Sequence, residues 1–205
     1  MTERLYSGLT ADERAARRRD QLLEAGLEIF AEVGWAASTV QDVCDVAGLS
    51  PRYFYAHFSG RAELFAAVVA LVAEQAEAVA LGALSPSDDP RERAHAVLAA
   101  LVGWFTSDPR RIRVALMESL ATDLFREQRR LLLVSFSDLG ARLMRPLGGG
   151  AVSGRGSRGR LRLTAGLLTG SLVEALIAWA GDPTEVAAGA LVDHLTQVYV
   201  ATARL

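Results

Sequence analysis

Residues 39–58 constrain this chain more tightly than any other segment. Thr39 is placed to cap a helix, because its hydroxyl can accept from a free backbone N–H of the first turn. Val40, Val43, Cys44 and Ala47 then recur at i, i+3, i+4 and i+7, which gives that helix one apolar face. Gly48 is suited to the left-handed conformation that ends a helix and reverses the chain. Leu49 plugs the angle, Ser50 is expected to cap a second helix, and Pro51 fits its first position, where a missing N–H costs nothing. Two short helices joined by a turn of about 3–4 residues containing glycine form a helix-turn-helix unit.

The second helix of that unit has an unusual outer face. Phe54 and Phe58 lie four apart and turn inward, leaving Pro51, Arg52, Tyr53, Tyr55, Ala56 and His57 outward. An ordinary solvated face would carry Glu, Lys or Gln. Arg, two phenols and an imidazole can instead donate to phosphates or base edges. The plainer reading is a helical corner whose aromatics pack on a neighbouring helix.

Residues 14–69 resemble the DNA-binding domain of the TetR family of transcriptional regulators. The likeness runs from Leu22-Leu23-Glu24-Ala25-Gly26-Leu27-Glu28-Ile29-Phe30-Ala31-Glu32-Val33-Gly34 through Ser38-Thr39-Val40 and Ala47-Gly48-Leu49-Ser50. It closes with Phe54-Tyr55-Ala56-His57-Phe58, Arg61 and Glu63-Leu64-Phe65. Two departures stand out. Arg52 occupies a position where the family usually has a small residue or glycine, and Tyr53 one where it usually has Thr, Ser or Ala. Arg61-Ala62 replaces the usual Lys-Glu, keeping the cation and losing a carboxylate. The resemblance implies an all-α protein: a three-helix DNA-binding domain over residues 1–61, and a larger helical effector-binding and dimerisation domain over 62–205.

The first helix makes sense without the family. Leu22, Leu23, Leu27, Ile29, Phe30 and Val33 form an apolar stripe that Gly34 ends, suited to packing behind the two short helices. Arg14, Arg17, Arg18 and Arg19 are expected just before or at its start, as a basic arm able to follow a phosphate backbone or reach a minor groove. There they would oppose the helix dipole, which favours a binding role over a stabilising one. Bulk charge points elsewhere: the formal net charge is −2, and acidic residues outnumber arginines in the first 61 positions. Positive charge confined to the arm, Arg52 and Arg61 suits binding at selected sites rather than coating of nucleic acid. Arg17, Arg18, Thr39, Ser50, Pro51, Arg52, Tyr53, Tyr55, His57 and Arg61 are the expected DNA contacts. Arg52 reads bases and Tyr53 either meets a thymine methyl or reaches a phosphate, while Thr39, Ser50, Tyr55, His57 and Arg61 mainly hold phosphates.

Beyond residue 62 the pattern is helical throughout, with helices expected over 62–82, 90–106, 109–121, 123–146, 160–180 and 183–203. Asp108-Pro109 and Asp182-Pro183 read as capped starts. Residues 148–159, rich in Gly, Ser and Arg, read as a flexible loop. Leu163–Trp179 is almost uncharged and close to the length of a membrane span, but Glu174 in its second half is expensive in lipid. The expectation is a helix buried by its own core and a second subunit, with no membrane partner. Gly166 and Gly170, four apart, would permit close helix approach. By the resemblance, Leu191, Leu195 and Val198 join them at a homodimer interface, and the two-fold axis demands an inverted-repeat operator on double-stranded DNA.

The middle helices would then enclose a pocket for a small-molecule effector. Its expected lining is Trp104, Phe105, Met117, Leu120, Phe125, Phe136, Leu172 and Leu176, with Leu139 and Leu143 as further candidates. Glu118, Asp123, His95 and Glu174 are the polar groups available to orient a ligand. No catalytic residue is expected. His57, His95 and His194 are isolated, Cys44 is single, and neither a phosphate loop nor a nucleophile elbow occurs. No metal or cofactor is expected either. Cys44 on an inward face reads as a core residue. The N-terminus has no charged-then-apolar leader, which points to the cytoplasm. The expected function is a sequence-specific transcriptional regulator, a repressor released by its effector. The alternative is a helical ligand-binding or protein-docking dimer without operator binding.

Overall fold

The computed structural model describes residues 10–120, 125, 130, 133–138, 140–141 and 155–203. Every element among them is helical. The chain forms two compact units, Met1–Val68 and Val69–Leu205, dividing inside a long helix rather than at its start.

The first unit opens with α1, Ala11–Glu32, whose start is fixed by a reciprocal cap. Thr10 Oγ1 accepts from Glu13 N at 3.2 Å, and Thr10 N donates to Glu13 Oε2 at 2.6 Å. Those bonds hold the Glu13 carboxyl below its ordinary range. Arg14, Arg17, Arg18 and Arg19 therefore lie within the helix, behind an acidic first turn, and not on an arm ahead of it. Gly34, at φ 79°, lets the chain turn into a short α2, Gly34–Ala37. Thr39 caps α3, Val40–Ala47, in a second reciprocal pair: its hydroxyl accepts from Asp42 N at 3.1 Å and its N–H donates to Asp42 Oδ2 at 2.8 Å. Gly48 ends α3 in the left-handed region, at φ 64° and ψ 31°. After it comes α4, Pro51–Tyr55, and backbone bonds from His57 N and Phe58 N to Phe54 O carry the turn onward. Ser50 stands at the cap position without a side-chain capping bond, so Pro51 and the extended Ser50 backbone start α4 unaided.

Leu22, Phe30, Val43, Phe54, Leu64 and Phe65 form the core of this unit, the last two from the start of α5, Arg61–Gly82. Gly26 lies where α1 closely approaches α5. A Cβ there would lie 3.1 Å from Leu64 and 3.2 Å from Val68, both fully buried.

The second unit contains the rest of α5 and α6, Pro90–Ser107, capped by Asp89 accepting from Arg91 N at 2.8 Å. The helix expected over 109–121 is not a uniform α-helix. It begins as α7, Arg110–Ile112, widens into a π-helical turn over Arg113–Met117, then tightens to a 3₁₀ turn over Glu118–Leu120. The buried Ser119 hydroxyl bonds back to Ala115 O at 2.6 Å, competing with the regular ladder. The expected helix over 123–146 falls largely outside the described residues, although 133–138 is helical.

α8, Arg155–Gly181, starts earlier than expected: residues 155–159 of the anticipated loop are its first turns, and 148–154 lie outside the described residues. Adding a turn to an established helix avoids the cost of nucleation, which offsets the poor propensity of Gly156 and Gly159. α9, Ala188–Ala203, starts later than expected. Asp182 Oδ1 accepts from both Thr184 N and Thr184 Oγ1, at 2.9 and 2.6 Å, so the carboxylate holds a turn instead of a helix start. α9 packs mainly along α6, burying Val192, Leu195 and Thr196.

Candidate functional site

The short α4 is held from behind and open in front. Phe54 and Phe58 are buried and stack at 5.9 Å between ring centroids. Pro51, Arg52, Tyr53, Tyr55 and Ala56 are exposed, Tyr53 at 44 % and Tyr55 at 60 %. An exposed row of one guanidinium and two phenols on a rigid helix is a donor surface for an anionic, planar-edged partner. Gln41 and Asp45, which share a 2.7 Å hydrogen bond, lie on the exposed side of α3.

Tyr53 does not stand alone. The Arg18 guanidinium carbon lies 4.8 Å above its ring centroid, so α1 supports the outward face of α4 through a cation–π contact. Arg19 approaches Phe58 in the same way at 5.6 Å. Arg18 is half-buried, with its Nε atom in no hydrogen bond, whereas Arg17 is exposed. Arg18 and Arg19 of α1 thus support the helix-turn-helix.

Two expected contacts are placed differently from the sequence reading. His57 is half-buried with Nε2 covered, because it follows α4 instead of lying on its outer face. Arg61 turns inward. Its Nη1 donates to the carbonyls of Trp35 and Ser38 and to Ser38 Oγ, and its guanidinium lies 4.1 Å from the Trp35 ring centroid. Trp35 packs in turn on Phe30 and Phe65. Arg61 therefore braces the 34–38 turn against α5, which the sequence could not show without Trp35 as its platform. Thr39 and Ser50 are exposed, Thr39 at the start of α3 with its hydroxyl engaged in its cap and Ser50 in the α3–α4 turn.

The second unit holds two adjoining apolar clefts. One lies among α5, α6, the π-helical turn and α8, with Val72, Phe105, Leu116 and Leu176 in its wall. The other lies among α5, α6, α8 and α9, with Val97, Leu101, Leu168 and Tyr199 in its wall. Phe136, Thr169 and Leu172 line both. Of the expected pocket residues, Phe105, Phe136, Leu172 and Leu176 are there.

The others are not in the wall. Trp104 packs on Arg111 at 4.2 Å, Met117 is 38 % exposed, Phe125 is buried away from the clefts, and the Leu120 side chain lies outside the described residues. The α5 residues were missed because that helix is apolar nearly all round and its sequence gives no favoured face. Asp123 and Leu143 lie outside the described residues, as does the Leu139 side chain. The remaining candidate polar groups do not line a cleft. His95 pairs with Asp193 at 3.6 Å on the surface, and Glu174 is exposed.

α5 and the Arg162–Gly181 stretch of α8 are long and apolar enough to cross a membrane by length and composition. The most apolar window of α5 is 39 % buried, that of α8 only 17 %. Leu163 and Leu167 stand 66 % and 62 % exposed, in line with the exposed Gly170. That stripe is an exposed apolar surface of this unit. Gly166 instead faces Ser137 of its own chain, at 3.7 Å from where a Cβ would lie. Leu195 is core and not interface, because α9 turns it inward, while Leu191 and Val198 are half-buried. Among the described residues no group of three His, Cys, Asp or Glu is arranged to hold a metal. Cys44 is buried, and burial followed by the charge of Asp45 pushes its thiol pKa up.

Residues 22–68 match the family model described as bacterial regulatory proteins, tetR family. The HTH-type transcriptional activator FasR of Mycolicibacterium smegmatis is 30 % identical over 106 residues, covering 52 % of this chain and 48 % of FasR. The match thus spans about half the length of that curated relative. The fold is close to that of the fatty acid degradation regulator FadR from Bacillus halodurans, with a TM-score of 0.77 and 16 % identity over 89 % of this chain and 94 % of that one. It is also close to FadR from Bacillus subtilis in complex with stearoyl-CoA, with a TM-score of 0.76 and 16 % identity over 89 % and 98 %. Over residues 22–68 this chain is thus similar to the bacterial regulatory proteins of the tetR family, and its fold is similar to that of these solved regulators.

Proposed function

We propose that this chain is a homodimeric, cytoplasmic transcriptional repressor that binds an inverted-repeat operator and releases it when a small apolar or amphipathic effector occupies the second unit. The exposed Arg52–Tyr53–Tyr55 face of α4, held by the buried Phe54 and Phe58, carries this reading. Arg52 lies at the N-terminal end of α4, the part of a recognition helix that meets base edges. Its planar fork fits the O6 and N7 of guanine. Ser50, with no capping bond, keeps its hydroxyl for a phosphate.

The exposed Leu163–Leu167–Gly170 stripe supports the dimer, since an apolar helix face of that length needs a covering partner. Two copies present two recognition helices, which half-sites about 34–36 Å apart would accept. The apolar clefts support the effector, and one structural neighbour is crystallised with stearoyl-CoA, an amphipathic molecule. Release requires only that the effector bind one of two conformers better than the other.

The test is Arg52→Ala on a panel of single-base operator variants at two salt concentrations. The substitution should relax base preference at one symmetric pair of positions by about 1–3 kcal/mol. An unchanged preference profile with uniformly lower affinity would remove Arg52 from readout.

A further inference from the structure

We propose that Arg18 of α1 is a positioning residue for base recognition: its guanidinium fixes the Tyr53 ring beside Arg52, so that the exposed ring surface packs on the C5-methyl of a thymine. This rests on reading α4 as the recognition helix, and adds to it a base contact that depends on a residue outside the helix-turn-helix.

Helix α4 has little of its own to hold an exposed side chain still. It is five residues long, lacks a side-chain capping bond at Ser50, and buries Phe54. Its two exposed phenols are held differently. Tyr55, 60 % exposed, meets only the edge-on ring of its neighbour Phe54, at 5.3 Å between centroids. Tyr53 is covered from α1, where the Arg18 guanidinium carbon lies 4.8 Å from its centroid. Arg19 reaches Phe58 at 5.6 Å, so consecutive arginines of α1 engage both ends of the α4 segment.

Arg18 is poorly placed to serve as a phosphate cation alone. It is half-buried, and its covered Nε bonds to nothing within the chain, whereas Arg17 and Arg19 are exposed. Covering a donor without a partner costs free energy, which an arginine needed only for its charge would avoid by extending into water. The attraction between guanidinium and ring offsets that cost and holds the two side chains together.

The chemistry of Tyr53 selects its partner. It is the third residue of α4, next to Arg52, in the turn of a recognition helix that meets base edges. The face of an aromatic ring carries negative potential, which attracts the guanidinium and packs against a methyl group but repels a phosphate. In the major groove that methyl is the C5 substituent of thymine. A ring already ordered by Arg18 loses less freedom on binding than a mobile one.

Duplexes selected from random DNA by the purified full chain serve as probes, with each thymine pair of the two half-sites replaced in turn by deoxyuridine. Uracil keeps the base pairing and removes only the methyl. The wild type should lose about fourfold in affinity per half-site at one symmetric pair of positions. Tyr53→Ala and Arg18→Met should both abolish that uracil penalty, Tyr53→Phe should keep it, and Arg18→Lys, the milder variant, should keep part of it. The double variant should bind no more weakly than Tyr53→Ala alone. Without DNA, the Arg18 Nε–H proton resonance should show a ring-current shift that Tyr53→Ala removes, and the remaining amide spectrum shows that each variant is folded.

Uniformly lower affinity of Arg18→Met, with the salt slope reduced by about one and the uracil penalty intact, would make Arg18 a phosphate contact and overturn the proposal. A penalty that Tyr53→Phe abolishes, or an Arg18 resonance indifferent to Tyr53→Ala, would also overturn it. Selection of no common sequence would overturn the recognition reading and this proposal with it. A selected sequence without a Tyr53-dependent uracil penalty would overturn this proposal alone.

Discussion

Replacing Arg61 with alanine separates bracing from DNA contact more sharply than any other substitution in the first unit. The guanidinium donates through Nη1 to two backbone carbonyls and to Ser38 Oγ, and Ser38 is 3 % exposed. A charge-assisted hydrogen bond contributes about 1.5–3 kcal/mol, and leaving a buried acceptor unsatisfied costs a comparable amount. The cation–π contact to Trp35 at 4.1 Å adds about 0.5–2 kcal/mol. These terms share one side chain and one nitrogen, so they do not add fully. A loss of about 2–4 kcal/mol from the first unit is the expected result.

Amide hydrogen exchange in α3 reads this directly, and protection there should fall by about thirtyfold to a thousandfold. Arg61→Lys should recover only part of it, since an ammonium lacks the planar fork that spans both carbonyls while stacking on the indole. If exchange in α3 is unchanged and operator affinity drops equally for all sequences, with the salt slope lower by about one, Arg61 is a phosphate ligand and the bracing role is wrong.

Two further substitutions probe the packing and the charges. Gly26→Leu should destabilise the first unit by at least about 2 kcal/mol, because Leu64 and Val68 cannot retreat, whereas Gly26→Ala should lie nearer neutral after gaining about 1 kcal/mol of helix propensity. Denaturation monitored by Trp35 fluorescence, in a background lacking the other tryptophans, checks the order. Asp108 is held below its ordinary pKa, first by the Arg110 side-chain hydrogen bond. Its stabilisation is therefore fully present above about pH 4 and lost as pH falls through the lower folded value. The difference in melting temperature between the wild type and Asp108→Asn should be constant near neutrality and shrink below about pH 4. A gap that widens in acid would contradict the assignment.

What could be read from the sequence was local. Thr39, Gly48 and Pro51 set the helix-turn-helix through caps and a left-handed glycine, interactions completed within a few residues. The outward Arg52, Tyr53 and Tyr55 followed from Phe54 and Phe58 turning inward. What escaped depended on partners distant in sequence or on competing local bonds. The direction of Arg61 is chosen by Trp35 and Ser38, 26 and 23 residues away. Leu195 is claimed by α6 of its own chain, although its helical spacing reads equally well as a dimer face. Asp182 has the residue type of a helix cap, yet Thr184 captures its carboxylate and the helix waits until Ala188. The clefts draw on α5, whose apolar surface has no preferred side, so the sequence located their α8 wall and missed Val72 and Ala80.

The central claim is sequence-specific recognition of DNA by paired copies of α4. Selection of binding sites from random double-stranded DNA by the purified chain, at physiological salt, tests it most directly. The account predicts enrichment of an inverted repeat whose half-site centres lie about one helical turn or a multiple of it apart, bound by an even number of copies. Recovery of no common sequence, with a salt-dependent affinity equal to that for bulk DNA, would contradict it.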